Sequence, residues 1–190
     1  MNRNLLIGLF GMLGLISLSS CQPDTPTYRR GLPQEYTLVY EEIYGRCYDS
    51  IPYCVVALDV YSDGLTLDKD HRIKGTGYNL YLSDIFVPKR EGADSLRLAP
   101  GSYHSDTTAA PFTFLPGRDY EGTPHGMYLL NIEEDHIKSI QVIDSGYVEV
   151  RDTTNALTDL QFTLYYRNSY GSRSTYKCHF QGELIPWEKQ

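Results

Sequence analysis

Two stretches near the C-terminus, "LQFTLYYR" (160–167) and "STYKCHFQGEL" (174–184), alternate apolar and polar residues. A period of two is the strand period, because successive side chains of an extended chain point to opposite faces. The connecting "NSYGSR" has the residues of a turn, so the pair predicts a β-hairpin. Tyr176, Cys178 and Phe180 fall on one face, and Lys177, His179 and Gln181 on the other. Cys178 is therefore expected to point inward as a small buried hydrophobe.

The same pattern recurs upstream in "EYTLVYEEIY" (35–44), "YCVVALDVY" (53–61), "GYNLYLSDIFV" (77–87), "SLRLAPGSY" (95–103), "PFTFLPG" (111–117), "HGMYLLNI" (125–132), "HIKSIQVI" (136–143) and "YVEV" (147–150). No long helical stripe occurs beyond the leader. The acids "EED" (133–135) sit where a hairpin would turn, and 62–75 and 88–95 read as polar loops. About nine or ten short strands with turn signals between them predict an all-β domain. The expected architecture is a two-sheet antiparallel β-sandwich, with a partly open β-barrel as the alternative.

The N-terminus has a different character. Arg3 precedes an apolar run from Leu5 to Leu18, 14 residues long. That is short for a membrane span and suits a signal-peptide core. Leu18-Ser19-Ser20-Cys21 then reads as a lipobox, in which small serines fit a narrow peptidase site and the Cys21 thiol accepts a diacylglycerol. The order of n-region, core, box and cysteine resembles the bacterial lipoprotein signal. Two or more acyl chains hold a protein firmly to a membrane, so Cys21 would anchor a peripheral protein. Gln22 rather than Asp follows, which points to the outer membrane, facing either the periplasm or the surface. The expected organisation is a signal peptide at 1–20, a lipidated tether at 21–33 and a single domain at 34–190. The tether sequence "QPDTPTYRRGLP" is proline-rich and semi-extended, with a reach of ~35–40 Å at ~3.1 Å per residue.

Composition limits the partners. The full chain of 190 residues carries a net charge of −7, and loss of the leader, whose one charged residue is Arg3, makes it −8. An acidic domain repels phosphate backbones, so nucleic acid is not expected as a partner. Beyond Cys21 the cysteines are Cys47, Cys54 and Cys178. Turn residues between Cys47 and Cys54 allow these two to bridge across a hairpin; pairing of either with Cys178 is the rival.

The stretches "GTGYNLYLSD", "LAPGSYHSD" and "IDSGYVEV", together with the lipobox, are similar to a plan found in surface lipoproteins of the Bacteroidota that carry an uncharacterised β-sandwich. The resemblance spans roughly residues 35–185. It implies a fold and a cell-surface location, and it supplies no catalytic residues.

No chemical motif emerges. The five histidines show no metalloprotease spacing, and there is no nucleophile elbow, phosphate loop or dinucleotide fingerprint. Glu41-Glu42 and Glu133-Glu134 are strand or turn neighbours and cannot form a catalytic pair by themselves. Asp63, Asp68 and Asp70 could offer oxygens to Ca²⁺ but lack the EF-hand order, so a solvated loop is the simpler reading. No cofactor, metal or catalytic residue is expected. Aromatic side chains remain: Tyr165, Tyr166 and Tyr170 around the last hairpin, and Trp187 after it. Such rings stack on sugar faces, and they also serve as ordinary strand residues. The expected function is a non-enzymatic lipoprotein that binds a glycan or protein partner. The alternative is a pilin-like or envelope-complex subunit that assembles by strand addition.

Overall fold

A computed structural model describes residues 31–43, 51–91, 96–152 and 157–188. The strands are β1 (Glu35–Tyr36), β2 (Leu38–Ile43), β3 (Tyr53–Tyr61), β4 (Leu65–Leu67), β5 (Ile73–Gly75), β6 (Gly77–Pro88), β7 (Gly101–Ser105) and β8 (Thr113–Phe114). They continue with β9 (Arg118–Tyr120), β10 (Thr123–His125), β11 (Met127–Glu133), β12 (His136–Val142), β13 (Ser145–Asp152), β14 (Thr158–Arg167), β15 (Arg173–Gly182) and β16 (Ile185–Glu188). Twelve of them form one sheet in the order β1-β15-β14-β13-β7-β8-β6-β3-β2-β16, with β11 and then β12 branching from β6. The hairpins β4–β5 and β9–β10 stand outside it.

The all-β class expected from the period-two runs is present. The arrangement differs from the expected antiparallel sandwich of nine or ten strands, because the twelve strands share one curled, mixed sheet. Three of its pairings are parallel: β1 with β15, β16 with β2, and β7 with β8. The curl follows from strands that change partners. β1 borders β15 while β2 borders β3, and Thr37 alone separates the two. β6 pairs through Gly77–Leu82 with β11 and through Ile85–Phe86 with β8. Between these halves Ser83 and Asp84 oppose the single residue Ala57 of β3. This bulge places Asp84 at φ 50°, a left-handed conformation that Asp tolerates better than most residues.

The interior is the inward half of each alternation. Val56, Leu58 and Val60 of β3 meet Leu80 and Leu82 of β6, Val148 and Val150 of β13, Leu160, Phe162 and Leu164 of β14, and Tyr176, Cys178 and Phe180 of β15. Glu41 also points inward and is fully buried. Its carboxylate accepts from Arg97 Nε and the Leu98 amide, and Arg97 also donates to the Leu184 carbonyl at 3.3 Å. At the junction of β8, β11 and β12, the Gly117 amide donates to Ile143 O at 2.8 Å. A Cβ at Gly117 would lie 2.0 Å from Met127 O, so only glycine fits.

A second cluster lies on the outer face. The stretch 62–75, expected to be a loop, contains the β4–β5 hairpin, which folds back over β2, β3, β6 and β11. Leu65 packs there with Tyr61, Leu130 and Ile132, flanked by Leu38, Tyr40, Leu67, Ile73 and Tyr128. The β11–β12 turn forms as expected, with Glu134 and Asp135 both at positive φ, as a two-residue type I′ turn requires. Asp135 Oδ1 accepts from the Gly75 amide at 2.6 Å and Oδ2 pairs with Lys74 at 3.0 Å. The two hairpins are thereby tied together.

Candidate binding face on β13, β14 and β15

The outward residues of β13, β14 and β15 stand in cross-strand rows. Tyr147, Thr163 and Lys177 form one row; Glu149, Gln161 and His179 form the next. β7 extends them on one side with His104 opposite Tyr147 and Ser102 opposite Glu149. On the other side Glu35 lies opposite His179, whose amide donates to Gln34 O at 2.9 Å. Among the described residues, nothing covers this face as the β4–β5 hairpin covers the other.

A hollow of about 620 Å³ lies here, lined by Gln34, Tyr147, Glu149, Gln161, Lys177 and His179 with Thr163. Its shape has a simple cause. Thr163 is the smallest side chain of its row and is almost buried, so it makes a floor between longer neighbours. The volume is that of small-ligand sites, ~300–1,000 Å³. Tyr147 is 39% exposed, the one large apolar surface among these groups.

Apart from the buried Phe162 and Cys178, the remaining lining is hydrogen-bonding. Lys177 donates, the Gln161 amide both donates and accepts, Glu149 accepts, and His179 does either according to its protonation. Asp159 sits beside the hollow; its Oδ2 accepts from Gln161 Nε2 at 3.2 Å. Its Oδ1 is buried, has no hydrogen bond among the described residues and lies 3.7 Å from His179 Nε2. Cys178 points away from solvent, and burial pushes its thiol up to about 12. It is therefore a thiol rather than a thiolate near neutral pH.

The four aromatics singled out in the sequence do not converge. Tyr165 lies further along the same outer face, opposite Ser145 and Thr175, with the Arg173 guanidinium 4.2 Å from its ring centre. Tyr166 turns inward against the core. Tyr170 stands at the β14–β15 turn, 91% exposed. Trp187 is on β16, across the sheet order from β13, β14 and β15. There it stacks on His71 at 4.7 Å and meets Tyr40 edge-on at 6.2 Å.

Cys54 is disulfide-bonded and Cys178 is free, which removes the Cys54–Cys178 alternative. Cys47, the partner expected for Cys54, lies outside the described residues, as does Cys21. In the acidic loop, Asp63 Oδ1 accepts from the Gly64 amide at 3.0 Å, and Asp68 Oδ1 from the Asp70 and Arg72 amides at 2.8 and 3.0 Å. These oxygens cap the turns of the β4–β5 hairpin. Among the described residues no group of three or more His, Cys, Asp or Glu side chains could hold a metal ion.

The face at Tyr147, Glu149, Gln161 and Lys177 was half visible beforehand. "YVEV" and "STYKCHFQGEL" each put polar residues opposite apolar ones; what the sequence did not reveal is that β13 lies beside β14. Compared with known proteins, the chain matches no protein-family model, no curated protein and no solved structure.

Proposed function

We propose that the chain is a non-enzymatic, lipid-anchored binding protein of the outer membrane whose curled sheet, a partly open barrel, presents the β13–β14–β15 hollow to a glycan. The observation that carries this reading is the composition of the hollow. Its lining mixes amide, carboxylate, ammonium and imidazole groups around a single exposed ring. Sugar hydroxyls need both donors and acceptors, and a ring gives a stacking face. The hydrogen-bonding side chains around the hollow outnumber its one exposed ring, Tyr147, which suits a hydroxyl-rich ligand better than the apolar core of a protein interface.

The anchor at Cys21 rests on the lipobox and on the resemblance to surface lipoproteins of the Bacteroidota. Nucleic acid is disfavoured by the net charge. The test is binding of the purified protein to a broad glycan array beside Tyr147→Ala and Gln161→Ala. Selective retention by wild type, lost in both variants at unchanged melting temperature, is expected. Silence of the wild type, or undiminished binding by both variants, rejects the reading. Mass spectrometry of the membrane-extracted N-terminal peptide tests the anchor separately, with an acylated Cys21 as the expected species.

A further inference from the structure

The strand β12 ends a branch of the sheet. Among the described residues it pairs with β11 alone, and every residue from Glu133 to Ile140 is exposed. A bare edge offers unpaired main-chain N–H and C=O groups to another strand, and proteins usually guard such edges with proline, several charges or a cover. β12, "HIKSIQV", has no proline, one lysine and one histidine. It also carries Ile137 and Ile140, 57% and 45% exposed.

Register makes these two residues a patch. Ile137 lies opposite Ile132 and Ile140 opposite Leu130, and the ladder shifts between Asn131 and Ile132. Lys138 is the extra residue of this bulge. In an even strand, residues three apart face opposite sides; the bulge brings Ile137 and Ile140 to the same one. There they continue the buried cluster of Leu130 and Ile132 out to the edge.

We propose that β12 is the interface of a homodimer, in which the β12 strands of two copies pair antiparallel about a two-fold axis. An axis between Lys138 and Ser139 sets Ile137 of each copy opposite Ile140 of the other, so four isoleucines close one strip. The patch is thus complementary to itself, which favours a second copy over an unrelated peptide. The same register sets Lys138 opposite Ser139 rather than opposite its own twin. From His136 to Val142 there is no acidic side chain, so two chains of net charge −7 meet without opposing acids there.

The test uses the full chain in detergent solution, followed by sedimentation from micromolar to millimolar concentration. A concentration-dependent dimer is expected, and Ile137→Lys should raise its dissociation constant by at least about tenfold with unchanged circular dichroism. The double variant Ile137→Cys/Ile140→Cys should give an oxidised dimer on non-reducing gels, since directly opposed Cβ atoms lie ~4.5–5.5 Å apart; each single variant should give far less. A wild type that stays monomeric throughout, a dimer indifferent to Ile137→Lys, or equal cross-linking by the single variants would overturn the proposal.

Discussion

The two outer faces of the curled sheet start from the same strand alternation and end differently. Over β2, β3, β6 and β11 the outward residues include Leu38, Tyr61, Leu130 and Ile132, and the β4–β5 hairpin roofs them. Over β13, β14 and β15 they include Tyr147, Glu149, Gln161, Thr163, Lys177 and His179, and a hollow remains. On the first face, burial under the hairpin explains these apolar residues, and the buried polar groups beside them are held by hydrogen bonds: Asp59 accepts from Tyr61 and Asn79, and Glu42 accepts from Tyr81. On the second, alternation puts polar residues on a solvated face, and the small Thr163 between longer hydrogen-bonding neighbours leaves the hollow. That contrast underlies the proposal that one face serves stability and the other recognition.

The largest expected effect comes from the interior that both faces share. Arg97→Ala strands the buried Glu41 carboxylate without its guanidinium. Loss of one partner of a buried ion pair costs about 3–5 kcal/mol, partly offset here because Arg97 is 35% exposed. Urea unfolding should show that loss, and both faces should fail together. A change below about 1 kcal/mol would place the ion pair outside the stabilising interior.

Next in size is Leu65→Ala, which empties a site under the hairpin roof. A buried leucine truncated to alanine costs about 2–5 kcal/mol, and the lower end is expected for a peripheral cluster. Glycan retention should persist wherever the variant stays folded. Equal loss of retention and stability would erase the distinction between the faces.

The smallest effect concerns the tie between the hairpins. The Gly75 amide first, and Lys74 second, hold the Asp135 carboxyl below the ordinary carboxylate range. A lowered folded-state pKa stabilises above the unfolded value and is lost as pH falls through the folded one. Protection of the β4–β5 amides in hydrogen exchange should therefore weaken on acidification below the usual aspartate range. Asp135→Asn should flatten that dependence, and an unchanged pH profile would show that the tie contributes nothing.

Much of the fold was legible locally. Alternation in "LQFTLYYR" and "STYKCHFQGEL" located β14 and β15 and assigned their faces, including the inward Cys178. The "EED" turn followed from its position between two apolar runs. Pairings between distant segments were not legible. The parallel contacts of β1 with β15 and of β16 with β2 join the two ends of the domain, and no short-range signal encodes them. The β4–β5 hairpin was hidden because Leu65–Leu67 and Ile73–Gly75 are three-residue strands whose hold is the distant cluster at Tyr61, Leu130 and Ile132. The candidate site shared this limit. Lys177 and His179 could be assigned a common face, but the neighbours that make a hollow of it, Tyr147 and Glu149, come from β13. The aromatic clue misled for the same reason: Trp187 lies near Tyr170 in sequence and on a separate strand, stacked on His71.

The most direct measurement sets one substitution on each face against the other, reading glycan affinity and melting temperature from the same preparations of Gln161→Ala and Leu65→Ala. Division of labour between the faces requires Gln161→Ala to lose affinity at least about tenfold while melting like the wild type, and Leu65→Ala to melt lower while retaining affinity. Gln161→Ala melting as low as Leu65→Ala with its affinity intact would contradict it.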